Sequence, residues 1–139
     1  MFAMQYAEQK DMEVWRELDR HISDNELRLK IAGRRAYLLR RNGVPIGVLR
    51  YNLFWDSIPF LTLLYLEPDS RAKGYGKAAM AQWEAEMRSM GYPCVMTSTQ
   101  SDETAQRFYR KLGYKDAGCL LLTVPPLAQP AELFLVKPL

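Results

Sequence analysis

Leu64-Tyr65-Leu66-Glu67-Pro68-Asp69-Ser70-Arg71-Ala72-Lys73-Gly74-Tyr75-Gly76-Lys77 is the stretch whose reading decides the fold. An apolar run from Phe60 reaches Pro68, and proline is excluded from the interior of a central strand, so the strand ends there. A basic turn with two glycines follows. It leads into Ala79, Trp83, Met87 and Met90, which form the inward stripe of a helix stopped by Gly91 as C-cap. A strand joined to a helix by such a turn cradles phosphates: glycine opens conformations closed to other residues, successive N–H groups converge into an anion nest, and the helix presents its positive end. Arg71, Lys73 and Lys77 add charge. Taken alone the stretch also fits a solvated basic turn. It lacks the Lys-Ser/Thr ending of a Walker loop and the glycine spacing of the dinucleotide fingerprint.

Working outward, Cys94 to Thr99 reads as a buried strand parallel to the one before the helix, through a right-handed crossover. Ala105, Phe108, Tyr109 and Leu112 stripe another helix, closed by Gly113. Leu120–Val124 and Leu133–Val136 are the expected closing strands, with Pro125, Pro126 and Pro130 marking the loop between them. Upstream, Asn42-Gly43 predicts a hairpin joining strands at Ala36–Leu39 and Val44–Leu53. Asp56-Ser57-Ile58-Pro59 turns the chain into the Phe60–Leu66 strand. Val14, Trp15, Leu18 and Ile22 recur at helical spacing, and Ser23 with Glu26 reads as a capping box opening a second helix through Leu27 and Ile31. The front end is thus expected as helix, cap, helix.

At 139 residues with 48% hydrophobic content the chain has the size of one domain with one core, 1–139. Net charge is +3 with the two signs interleaved, so nucleic acid is not an expected partner. No apolar run has signal-peptide length at the start or approaches the ~18 residues that cross a bilayer, so the expectation is a cytoplasmic protein with no membrane partner. Cys94 and Cys119 read as reduced thiols, and with the single His21 they make no metal-ligand cluster. No metal is expected.

The order strand, glycine loop, helix, strand, helix, strand raises the weight of the opening motif. Leu64-Tyr65-Leu66-Glu67-Pro68, Arg71-Ala72-Lys73-Gly74-Tyr75-Gly76 and Ala105-Gln106-Arg107-Phe108-Tyr109-Arg110-Lys111-Leu112-Gly113-Tyr114 together resemble the GNAT superfamily of acyl-CoA-dependent N-acyltransferases. The second segment is similar to its pyrophosphate motif, Arg/Gln-x-x-Gly-x-Gly/Ala, and the third to its Ala-x-x-Phe-Tyr-x-x-x-Gly-Phe/Tyr motif. The likeness is sharpest from about Leu63 to Cys119. This chain departs from many members at Asp102, where they carry Asn and where Asp is still able to cap the helix, and at Ala72, where they carry Gly.

The resemblance implies an α/β fold with a mixed, mostly antiparallel sheet of about six to seven strands, about four helices, and a parallel strand pair splayed at the CoA site. It implies acetyl-CoA as cofactor and CoA as product. Amides from Ala72 to Lys77, with Arg71, Lys73, Gly74, Tyr75 and Gly76, would hold the pyrophosphate. Strands ending near Leu64, Tyr65, Leu66 and Thr99, with Asp102, Ala105 and Phe108, would complete the cofactor site, and N–H groups near Leu66 would polarise the thioester carbonyl. Tyr109 corresponds to the superfamily's general acid, and a phenol of pKa near 10 matches a thiolate of roughly similar basicity. By stripe alone it is a core residue beside Phe108. Glu67 is the candidate base, with Asp56 and water as competitors. His21, Trp55 and Asp56 are candidates for the acceptor side.

The expected activity is acetyl transfer to a primary amine, of a small molecule first and of a protein N-terminus or lysine second. A CoA-binding sensor or interaction module without turnover is the alternative of another class, and a phosphate- or nucleic-acid-binding module without CoA is a third. The protein is expected as a monomer or homodimer.

Overall fold

The computed structural model describes residues 1–139. The chain forms two compact units, Met1–Asn52 with Thr62–Ala85, and Leu53–Leu61 with Glu86–Leu139. Seven strands follow the order β1-β2-β3-β4-β5-β7-β6, with ranges given below.

In the first unit, β1 (Phe2–Tyr6) pairs antiparallel with β2 (Ala36–Arg41), and β2 with β3 (Val44–Phe54). The hairpin turn falls on Asn42 and Gly43, at φ 51° and 81°, the left-handed pair that lets a two-residue loop follow the strand twist. α1 (Met12–Leu18) and α2 (Asp24–Ala32) stand on either side of Ser23, whose hydroxyl accepts from the Glu26 N–H; this is the expected N-cap. Trp15, Leu27, Ala36, Leu38 and Val48 form the buried centre, with Leu63 and Tyr65 of β4 (Ile58–Leu66) packed against it. Gly47 is required there, because a Cβ would drive into the Tyr65 carbonyl and Leu66. α3 (Tyr75–Ser89) buries Ala79 and Trp83 as its stripe predicts, and Met80 beside them, while Met90 lies past the helix end and is half-exposed.

The second unit is built on β5 (Cys94–Gln100) and β7 (Glu132–Pro138), antiparallel from Cys94↔Pro138 to Gln100↔Glu132. The parallel partner of β5 is β4, through Phe60↔Met96 and Leu61↔Thr97. Alternation divides the side chains: Val95, Thr97, Thr99 and Leu135 are buried, whereas Phe54, Phe60 and Phe134 form a ring cluster with centroids 5.7–6.2 Å apart. α4 (Ala105–Lys111) carries the buried Tyr109.

Two expectations need correcting. β1 lies ahead of the first helix, in a segment read only for a leader. The strand expected at Leu120–Val124 lies instead at Lys115–Leu120 as β6, exposed along its whole length and register-shifted between Asp116 and Gly118. An exposed strand lacks the apolar alternation that sequence reading depends on, and Leu121 and Val124 sit exposed in the loop.

Candidate functional site

The glycine loop belongs to the first unit. Pro68–Ser70 makes one 3-10 turn after β4, closed by the Ser70 N–H on the Glu67 carbonyl at 2.9 Å. Ala72 then takes φ 60° and Gly74 φ 87°. Space does not require a glycine at Gly74, since a Cβ there would meet nothing within 4 Å; the backbone conformation does. Ala72 adopts the left-handed region against the chirality penalty, about 1 kcal/mol.

The Gly74 carbonyl accepts the Ala78 N–H at 3.0 Å and opens α3. The amides of Tyr75, Gly76 and Lys77 therefore have no partner one turn back, and those of Ala72, Lys73 and Gly74 donate to no backbone carbonyl. No acidic side chain stands in the first turn. Six consecutive N–H groups, the positive end of a 15-residue helix and the Lys73 and Lys77 ammonium groups make a site for a polyanion.

Arg71 is partly engaged elsewhere. Its Nε donates to the Leu66 carbonyl at 2.9 Å and its guanidinium lies 5.4 Å from the Tyr65 ring centre, so it ties the strand end to the loop. Leu64, Tyr65 and Leu66 are half-buried. Tyr75 stacks on Phe2, centroids 5.5 Å apart. Glu67 donates its N–H to the Ile46 carbonyl at 2.8 Å and keeps an exposed carboxylate.

The second unit holds Tyr109, Thr97 and Thr99. Tyr109 lies edge-on to Phe108 and Tyr114, centroids 5.1 and 5.6 Å away. Burial drives its phenol up to about 12, against a smaller lowering influence of the Thr97 side chain. A phenol raised this far is a weaker acid than the sequence-based match to a thiolate supposes. Thr97 Oγ1 donates to the Leu61 carbonyl at 3.1 Å. Thr99, two residues on, is 5% exposed and its hydroxyl has no partner within the chain; a buried hydroxyl left unpaired costs ~1–3 kcal/mol. Ala105 and Asp102 are exposed, and no side chain caps α4, whose N-cap is Thr104; the capping expected of Asp102 is not made.

The acceptor candidates are distributed. His21 is exposed in the α1–α2 turn, and its N–H donates to Asp19 Oδ1 at 3.0 Å. Trp55 and Asp56 are the two left-handed residues of the β3–β4 turn, φ 53° and 57°. Trp55 borders a cavity of about 510 Å³ lined by Phe54, Ile58, Met96, Leu120 and Phe134. Sequence reading missed this apolar cavity. No cluster of His, Cys, Asp and Glu fit for a metal is present, and no helix is long and apolar enough to cross a membrane.

The model of the acetyltransferase (GNAT) family matches residues 2–114. No curated protein sequence matches the chain. Among solved structures, the ribosomal-protein-S18-alanine N-acetyltransferase of Escherichia coli superposes with TM-score 0.82 at 18% identity, over 99% of this chain and 94% of that one. Naa50 of Arabidopsis thaliana, in complex with the bisubstrate analogue CoA-Ac-MVNAL, gives 0.81 at 13% identity, over 98% and 97%. N-acetylglutamate synthase of Neisseria gonorrhoeae, complexed with coenzyme A and N-acetyl-glutamate, gives 0.82 at 16% identity, over 100% of this chain and 35% of that one.

Proposed function

The chain belongs to the GNAT acetyltransferase family and is an acetyl-CoA-dependent N-acetyltransferase, and on that premise we propose that it acetylates a primary amine of a small molecule, with Tyr109 as general acid. The observation that carries the cofactor side of this reading is the run of six unpartnered amides from Ala72 to Lys77 at the head of α3. They fit a pyrophosphate in charge and in donor number. The unpartnered Thr99 hydroxyl fits the amide of a pantetheine arm.

Acetyl-CoA supplies the acetyl group already activated as a thioester; the chain supplies the rest. In this reading main-chain N–H groups near Leu66 polarise the carbonyl, and Arg71, by holding the Leu66 carbonyl, fixes that strand end. The acceptor attacks as a neutral amine, since an ammonium has no lone pair. Glu67, with its exposed carboxylate, or water takes the amine's proton, and Asp56 is the competitor in the β3–β4 turn. Tyr109 gives its proton to the departing thiolate. His21, Trp55 and Asp56 are assigned to the acceptor side.

A second reading, transfer to a protein N-terminus, draws on the printed names of the Escherichia coli and Arabidopsis thaliana structures. We further propose that residues 1–139 act as one domain, supported by a family match that runs through both units, and that the enzyme works in the cytoplasm. Isothermal titration with acetyl-CoA and CoA, followed by a thiol-release assay over small amines and N-terminal peptides, tests the function. Saturable binding with thiol release on small amines is expected. Release on peptides alone would move the assignment to a protein acceptor, and absence of binding would overturn it.

A further inference from the structure

We propose that the apolar face of the second unit is the contact between two copies of this chain, the β6–β7 loop of each copy filling the cavity of the other. Cavity and loop both lie in that unit, so one chain carries both halves of the contact. None of the ten residues that line the cavity is charged. The same holds along the loop: from Ala117 to Ala131 there is no Asp, Glu, Lys or Arg, in a chain that is 25% charged. Depletion of charge with retained apolar groups marks the core of a protein–protein interface.

The loop is held by its own backbone. The Leu127 N–H donates to the Val124 carbonyl at 2.8 Å, the Gln129 N–H to the Leu122 carbonyl at 2.9 Å and the Ser101 N–H to the Ala131 carbonyl at 2.8 Å. Gln129 Nε2 adds a bond to Glu132 Oε1 at 2.9 Å. Within this frame Leu121, Val124 and Leu127 are 71%, 71% and 62% exposed, so they do not fill the cavity of their own chain. A loop fixed in this way gives up little conformational freedom on docking. The cavity, about 510 Å³, has room for more than one aliphatic side chain. Trp55 and Leu120, 80% and 46% exposed, border it. These five side chains leave roughly 600 Å² of apolar surface in water, the upper end of what a monomer exposes in one patch. Pro125, Pro126 and Ala128, also exposed, extend the surface toward the ~800 Å² that each partner of a stable interface buries. A twofold axis covers the loop and the cavity of each chain together, so all of this surface is used in one complex.

The test is sedimentation equilibrium of the full chain from about 1 to 100 µM, where an interface of this size should give a dimer. Leu127→Lys in the loop and Leu120→Glu at the cavity wall should each weaken association by roughly 100-fold or more, because each sets a charge in an apolar contact. Far-UV circular dichroism like that of the wild type shows that the variants fold. An equimolar mixture of the two should associate again: one of its two contacts is native, and the other sets the introduced ammonium against the introduced carboxylate. A wild-type monomer at every concentration overturns the proposal, as does a dimer that survives both substitutions. Loss in both variants without recovery on mixing overturns the loop-in-cavity pairing, and a mass that grows past the dimer overturns the twofold arrangement. A wild-type monomer that co-sediments with phosphatidylcholine vesicles would assign the face to a lipid surface instead. If Leu120→Glu does not fold, Leu127→Lys and Val124→Lys decide: both must lower the mass to that of one chain.

Discussion

Asp19 in the first unit and Tyr109 in the second are both buried and both polar, and the fold treats them in opposite ways. Asp19 is saturated: Arg50 Nε lies 2.8 Å and Trp15 Nε1 3.0 Å from Oδ2, and the His21 N–H 3.0 Å from Oδ1. Burial alone would raise its pKa, but the hydrogen bonds from Arg50 and His21, the Arg50 charge and the Trp15 bond outweigh burial and hold the carboxyl below the usual range. Tyr109 meets the edges of the Phe108 and Tyr114 rings, and the buried Thr99 hydroxyl of the same unit has no partner. A closed network of this kind holds α1 to β3; an open one keeps capacity for a ligand. Trp83 Nε1, also buried without a partner, shows that an open donor alone does not make a site.

Breaking the closed network should have the largest effect. Arg50→Met leaves the Asp19 charge buried without its cation and should cost ~3–5 kcal/mol of stability by urea unfolding. The stabilisation that Asp19 gives is present above its unfolded pKa near 4 and is lost as pH falls through the lower folded value. In Arg50→Met the acid transition should therefore move to higher pH.

Tyr109→Phe addresses the open network and should lower kcat roughly 100-fold with acetyl-CoA affinity within about twofold. A folded pKa of about 12 against 10 unfolded makes the protonated phenol part of the native state. Its contribution is complete below pH 10 and should decline through pH 12 at ~1.4 kcal/mol per unit. Tyr109→Phe should flatten that decline in alkaline unfolding curves, whatever its effect on rate.

Gly74→Asp sets a carboxylate and a disfavoured φ at the head of α3, and titration should show acetyl-CoA binding weakened by roughly tenfold or more, about 1.4 kcal/mol, with the unfolding midpoint moved little. The smallest change expected is a gain. Ala72→Gly relieves the left-handed alanine and should raise stability by about 0.5–1 kcal/mol, measured by the same urea unfolding. Equal stability would mean that the loop relaxes without the glycine.

The same contrast explains what was legible in the sequence. The loop is shaped by its backbone, and backbone demands are written locally: Gly74, the helix stripe through Ala79 and Trp83, and the Asn42-Gly43 turn each declare a conformation within a few residues. Tyr109 was singled out only through its motif. Its burial depends on how α4 packs against β5, and no short window of sequence contains that. The Asp19–Arg50 pair spans 31 positions and was invisible for the same reason. β6 failed differently, since an edge strand exposed on all six residues carries no pattern to read. The turn after β3 was expected around Asp56-Ser57-Ile58-Pro59 and is centred on Trp55 and Asp56, because a tryptophan in the left-handed region is a choice that propensity does not favour.

That tryptophan has a use of its own. Trp15 and Trp83 are fully buried, whereas Trp55 is 80% exposed at the mouth of the apolar cavity of the second unit. A water-borne collisional quencher such as iodide reaches one indole of the three, so the quenchable part of the intrinsic fluorescence belongs to that mouth alone. Any amine, peptide or second copy that settles there dims or shields a signal the protein already carries, without a label.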